Sequence, residues 1–332
     1  MRIRRVLGIS AVVLVGLTLI AAAWVRLPYY SIGPGPARDI PPMILFEDRA
    51  RYEPDGRLVM TTVRTVRLTG LLALAAWLDP ERTIVSESDL YGPGVDRDLE
   101  ERRSISQMDS SKIAATVVVL SRLADYPQAH GDGVLIESTV PGCPADGELF
   151  PGDVVLAIDG GSVDRVAEAS AAIDATPIGQ EMRWLLDVDG EREKARFARA
   201  ACLEGSDPLV GVRMLDTFPF PVTISSGEVG GPSAGLMFAL GLWELLTPGD
   251  LLDRRVVAGT GTIDLDGNVG PIGGVRDKVL GAEHAGADLF LVPTANFREV
   301  RDMDTGTMRV VPVADFDEAL AALREGASRQ LK

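Results

Sequence analysis

The sequence predicts a multidomain α+β protein set behind a single N-terminal membrane helix. Three observations predict it. A run of twenty uncharged residues, VLGISAVVLVGLTLIAAAWV, lies between Arg5 and Arg26. From residue 133 onward, strand-like, turn-like and helix-like segments alternate. The length of 332 residues predicts two or three domains, and an apolar fraction of 46% excludes wholesale disorder.

At about 1.5 Å per residue the uncharged run is roughly 30 Å long as a helix, the thickness of a bilayer's hydrocarbon core. Arg2, Arg4 and Arg5 precede it, so the positive-inside rule places the N-terminus in the cytoplasm and the body outside. Trp24, Tyr29 and Tyr30 suit the outer interface. A rival reading is a signal peptide cleaved near Ala21-Ala22-Ala23. Both readings export the body, and an oxidising compartment would permit a Cys143–Cys202 disulfide, though two unpaired cysteines are an equal expectation.

The net charge is −15, and residues 1–26 hold four arginines and no acid, so the rest of the chain carries −19. Such a body is a poor partner for nucleic acid, which demands cationic surface. With two histidines (His130, His284) and two cysteines, a Cys- or His-rich metal site is not expected. No cofactor is implied. A histidine-dependent hydrolase is a weak reading, because no G-x-S-x-G turn accompanies either histidine.

Residues 31–42, SIGPGPARDIPP, hold four prolines and two glycines and read as a linker between the anchor (1–30) and the body. Residues 43–111 read as a mixed α+β region. Within it, a strand follows the Asp55-Gly56 turn, and the apolar stretch Leu68 to Leu78 suits a short buried helix. A helix is expected from Ser110. Strands GVLIESTV and GDVVLAIDGGSV, a helix VAEASAAIDA and a hairpin around Asp189-Gly190 follow.

The second of these strands, with the turn PGCPADG before it, resembles a PDZ domain, giving a unit at 112–204 with its preceding helix. The resemblance implies peptide capture on a sheet edge. A Gly-Leu-Gly-Phe-like carboxylate loop should then lie upstream of Gly133, and no clear copy is there. A packing or gating module is the alternative.

The remaining 205–332 hold the chemistry. Ser226-Gly227-Glu228-Val229-Gly230-Gly231-Pro232-Ser233-Ala234-Gly235 opens LMFALGLWELL, apolar nearly all round and so a buried helix. Pro232 suits a helix start, which puts Ser233 among unpaired N–H groups that favour negative charge. Alone, Gly-Pro-Ser is most often a simple cap. A strand from Val256, an Asp266-Gly267 turn and a helix ending near Gly286 follow, with Lys278 in that helix's first turns.

Together GGPSAG, the T-G-x-I-x-L-x-G-x-V-x-P-I-G-G run from Thr260 to Gly274, Lys278 four residues beyond, and AEHAGADLFLVP resemble the proteolytic domain of Lon proteases. The resemblance implies Ser233 as nucleophile, Lys278 as general base and Thr260 as the hydroxyl that orients the lysine. N–H groups at Gly231 and Ala234 would hold the oxyanion. It also implies protein or peptide substrates and a possible homo-oligomer, hexameric by resemblance. Two departures stand out: Gly230 replaces an acidic residue common before Gly-Pro-Ser, and no G-x-x-x-x-G-K-[ST] loop occurs, so no ATP use is expected. With the anchor, PYYSIGPGP and LTPGDL, the whole arrangement resembles YlbL-like membrane-anchored PDZ–Lon proteases of Gram-positive bacteria. The expected activity is ATP-independent serine endopeptidase action outside the cytoplasm. A catalytically silent scaffold for membrane-protein tails is the alternative.

Overall fold

A computed structural model describes residues 16, 22–92, 94–202, 208–227 and 229–330. Most of the uncharged run, and with it the expected anchor, lies outside the described residues. Among the described residues, no helix is long and apolar enough to cross a membrane.

The segment expected as a linker is built into a sheet instead. Strand β1 (Arg26–Pro34) is the centre of a three-stranded antiparallel sheet. Its neighbours are β3 (Val63–Thr69) and β4 (Thr83–Ser86), whereas β2 (Arg57–Met60), which comes between β1 and β3 in the chain, belongs to another sheet. Ser31 faces Val66 on one side and Ile84 on the other. Pro28, which has no N–H to donate, falls in the irregularity of the ladder between Arg26 and Tyr30. Hydrogen bonding on both edges of β1 is what overrides the Pro/Gly composition.

Helix α1 (Gly70–Leu78) is capped by Thr69, whose hydroxyl accepts from Leu72 N–H. It is the expected apolar helix, but only Ala76 is buried. Helix α2 (Arg97–Leu123) starts thirteen residues before Ser110. Asp96 caps it, and Asp98 and Glu100 favour its first turn. Its charged first half carries no apolar period, which hides it from pattern reading, whereas Ile113 to Leu120 are buried.

The next unit is an antiparallel sheet. Its strands are β5 (Val134–Thr139), β6 (Val154–Ile158), β7 (Glu181–Val188), β8 (Glu191–Ala198) and β9 (Val212–Asp216), in the order β8-β7-β6-β5-β9. Helix α3 (Val166–Ala175) covers it, and Ile136, Leu149 and Trp184 fill the core. Asp189 and Gly190 both have positive φ, as a two-residue hairpin turn requires. The edge strand β9 lies beyond the expected boundary at residue 204. The unit therefore takes a strand from the segment assigned by sequence to the last domain.

The last body is a five-stranded sheet in the order Arg38–Asp39, β2, β10 (Val256–Gly259), β11 (Leu289–Pro293), β12 (Arg309–Val313). The four labelled strands are parallel and nearly continuous in apolar residues, because both faces are covered. Leu58 and Met60 face α4 (Gly235–Leu246) and α6 (Phe316–Gln330). Val59 between them faces α5 (Val275–His284). Residues 43–111 are thus no separate domain, since β2 sits inside this sheet.

Cys143 and Cys202 are bonded, closing a loop of 59 residues. Gly211, at positive φ, packs directly on Cys143, where a Cβ would collide with the sulfur bridge. In the chain-entropy account a loop of this length is worth about 4 kcal/mol. Cys143→Ser is expected to lose that amount in urea unfolding under non-reducing conditions, and wild type under reductant should match it.

Candidate active site

Ser233 lies in the single turn Pro232–Ala234 that leads into α4. Lys278 lies in the first turns of α5, on the opposite face of the sheet. The two helices converge past the carboxyl end of β10, where Thr260 follows Gly259, the position at which open parallel sheets place ligands. Lys278 Nζ is 2.6 Å from Ser233 Oγ and 3.1 Å from Thr260 Oγ1. Three residues spread over 45 positions of sequence thus share one point.

Thr260 is only 1% exposed and holds both neighbours. Its hydroxyl donates to Ser233 O at 3.0 Å, so its lone pairs face Lys278 Nζ and accept from it. A neutral amine that gives an N–H to Thr260 can aim its lone pair at Ser233 Oγ. Gly261 N–H also donates to Ser233 O at 2.9 Å, and Thr260 N–H to Leu291 O at 3.0 Å, which ties the serine turn to the sheet.

Lys278 is 4% exposed, and burial pulls its pKa from the ordinary 10.5 down to about 8. The positive end of α5 acts in the same direction. Close to a tenth of the molecules then carry a neutral amine at pH 7, against fewer than one in a thousand for a solvated lysine.

Of the expected oxyanion donors, Ala234 N–H belongs to the opening turn, where a helix has no acceptor of its own for it. Gly231 N–H is engaged: it donates to Ser104 O of α2 at 2.8 Å. Gly230 lies under the same serine, and a side chain there would collide with Ser104 Oγ. An acidic residue at 230 would therefore require the Ser104 hydroxyl to turn away or α2 to shift. Ser111 Oγ, one helical stretch further along α2, donates to Pro232 O at 2.9 Å. No motif marked Ser104 or Ser111; their partners lie more than 100 residues away and only the fold joins them.

A cavity of about 670 Å³ opens on Ser233 and Lys278, bordered by Met60 to Thr65, Met108 and Val229. His284 sits at the surface against Glu81, and His130 lies against Gly131 O, so neither takes part in this cluster. Among the described residues no group of His, Cys, Asp or Glu forms a metal site.

Residues 221–325 match the Lon protease (S16) C-terminal proteolytic domain. This segment is similar to the proteolytic domain of Lon-type serine proteases. Lon protease 2 of Herpetosiphon aurantiacus is 35% identical over 172 residues, covering 50% of this chain and 20% of that protein. A Lon protease of Roseiflexus castenholzii is 44% identical over 96 residues, covering 27% of this chain and 11% of that protein. The chain thus spans a fifth or less of these curated relatives. Among solved structures, the PDZ domain of an SdrC-like protein from Listeria innocua is similar at 26% identity, over 25% of this chain and 93% of that one, with a TM-score of 0.23.

If a neutral Lys278 is the working base of the Lon-type domain, kcat/KM rises about tenfold per pH unit below pH 8 and levels off above it. A pH–rate profile flat from 6 to 8 would contradict this. Between pH 8 and 10.5 the unfolded chain holds a proton on Lys278 that the folded chain lacks, so this group's contribution to stability rises with pH across that window. Below pH 8 the buried cation is a cost. Lys278→Met is therefore expected to abolish turnover and to stabilise the fold by up to about 3 kcal/mol at pH 6, read by urea unfolding.

Proposed function

We propose that the protein is a membrane-tethered serine endopeptidase with a Ser233–Lys278 dyad, acting outside the cytoplasm and without ATP on exposed or unfolded segments of proteins. The observation that carries this reading is the 2.6 Å approach of a nearly dry amine to a helix-opening serine hydroxyl. The Lon-type domain supports the peptidase class.

In the proposed cycle, neutral Lys278 takes the proton of Ser233 Oγ as the oxygen attacks the scissile carbonyl. The developing oxyanion is held by N–H groups of the Ser233–Ala234 turn. Gly231 N–H joins them only when α2 releases it from Ser104 O. The Lys278 ammonium then protonates the leaving amine. Once neutral again, it draws a proton from the water that clears the acyl-enzyme. Thr260 keeps the amine pointed throughout.

Several observations support the wider reading. Disulfides persist in oxidising compartments, and Cys143–Cys202 is one. The uncharged run with three preceding arginines supports the tether. Guidance or gating by the 134–216 unit is supported by neighbouring residues of α2. Ser110 Oγ donates to Glu137 O of β5 at 2.8 Å, while Ser111 Oγ holds Pro232 O beside the nucleophile.

Ser233→Ala is expected to cut casein hydrolysis in ATP-free buffer by at least about 10³-fold with unchanged melting. Lys278→Arg should be equally inactive, since a guanidinium stays charged. Cleavage surviving in either variant would remove the dyad, and a wild type without turnover would favour the scaffold reading. Thr260→Val should lower kcat by about 10–100-fold while KM moves little, because the threonine orients the base and does not touch substrate.

A further inference from the structure

Helix α1 is the most anomalous surface of the described molecule. Its sequence, GLLALAAWL, has no polar side chain. A helix apolar all round belongs in a core or in lipid. Here Leu71, Leu72, Leu74, Trp77 and Leu78 are 44%, 45%, 55%, 74% and 67% exposed. They form one contiguous apolar face of the kind that marks an interaction site.

The chain around α1 says what covers it. Gly70, the first residue of α1, packs on Ala22, near enough that a Cβ at 70 would lie 3.2 Å from Ala22 Cα. The helix therefore begins beside the end of the twenty-residue uncharged run. Trp24 and Val25, the last residues of that run, are 82% and 57% exposed. Tryptophans with such freedom collect at membrane interfaces, where one edge is apolar and the other wet. Two of them, Trp24 and Trp77, flank this region, with Tyr29 exposed on the strand that follows.

We propose that α1 lies in the lipid interface, with the face of Leu71, Leu74, Trp77 and Leu78 buried in the bilayer surface beside the anchor. The proposal rests on the membrane-tethered reading above and deepens it. It turns a single flexible tether into a two-point attachment that fixes how the body stands on the membrane. Strand β3 then sets a distance. It runs from Val63, Arg64 and Thr65, which border the catalytic cavity, to Thr69, which caps α1. Six residue steps span at most about 20 Å. The dyad is thereby held within reach of the first several residues of any chain emerging extended from the bilayer. The substrates that this geometry serves are juxtamembrane segments.

The test uses the full chain with Trp24→Phe in vesicles of phosphatidylcholine and phosphatidylglycerol. Flotation reads the anchor. Quenching by lipids brominated near the top of the acyl chain reads Trp77, with the signal of the two remaining tryptophans taken from a Trp24→Phe/Trp77→Phe control. The expected result is co-flotation with a fall of about twofold or more in the Trp77 signal. Adding Leu74→Gln and Leu78→Gln should remove most of that quenching while flotation persists. Co-flotation with an unquenched Trp77 overturns the proposal and leaves the tether standing. A chain that does not float and is not quenched overturns both. Lipid-independent crosslinking between copies through residue 74, with Trp77 unquenched, overturns it in favour of a second copy as the occupant.

Discussion

A lysine amine within hydrogen-bond reach of a serine hydroxyl is useful only if it can lose its proton, and that requirement shapes the surrounding architecture. In water, Lys278 would be a cation. Between two helices and the carboxyl end of a parallel sheet it is nearly dry, and its pKa falls to about 8. The chemistry thus depends on packing more than on any neighbouring charge. The apolar cores on either side of the sheet bring α4 and α5 to the same strand end. The Thr260 hydroxyl donates to Ser233 O and accepts from Lys278 Nζ, joining the two. The two histidines take no part in this cluster: His284 lies against Glu81 and His130 against Gly131 O.

Helix α2 is the second organising element. It binds the serine turn through Ser104 O and Ser111 Oγ, and the neighbouring sheet through Ser110 Oγ. Adjacent side chains on one helix thus link the residue before Ser233 to the antiparallel sheet. The engaged Gly231 N–H gives this link a chemical consequence, since a donor beside the nucleophile is occupied by the helix. Glycine at 230 is what lets the helix come so close.

The exposed apolar helix α1 belongs to the same economy of position. On the proposed function, fixing the body relative to the bilayer would supply selectivity that an open cleft lacks. Strand β3 is shared between the two tasks, one end bordering the cavity and the other capping α1. The three-stranded sheet around β1 joins them rigidly, which a Pro/Gly linker would not.

The elements carrying Ser233 and Lys278 were legible in the chain itself, because turn glycines and apolar periodicity are local signals, while the pairing of the two residues was an expectation from the Lon resemblance. So were the strands of the 134–198 region, its helix and its Asp189-Gly190 turn. Other features were decided by partners distant in sequence. β1 became a central strand because β3 and β4 pair with both its edges. β2 joined the catalytic sheet and β9 the preceding one by crossing expected boundaries. α2 extended through a charged half that has no pattern to read. The exposure of α1 followed the same rule: its composition announces an apolar surface, but only the folded neighbours determine whether protein covers it. Local chemistry is written in adjacent residues, whereas burial, pairing and the proton affinity of Lys278 are properties of what the tertiary fold brings against them.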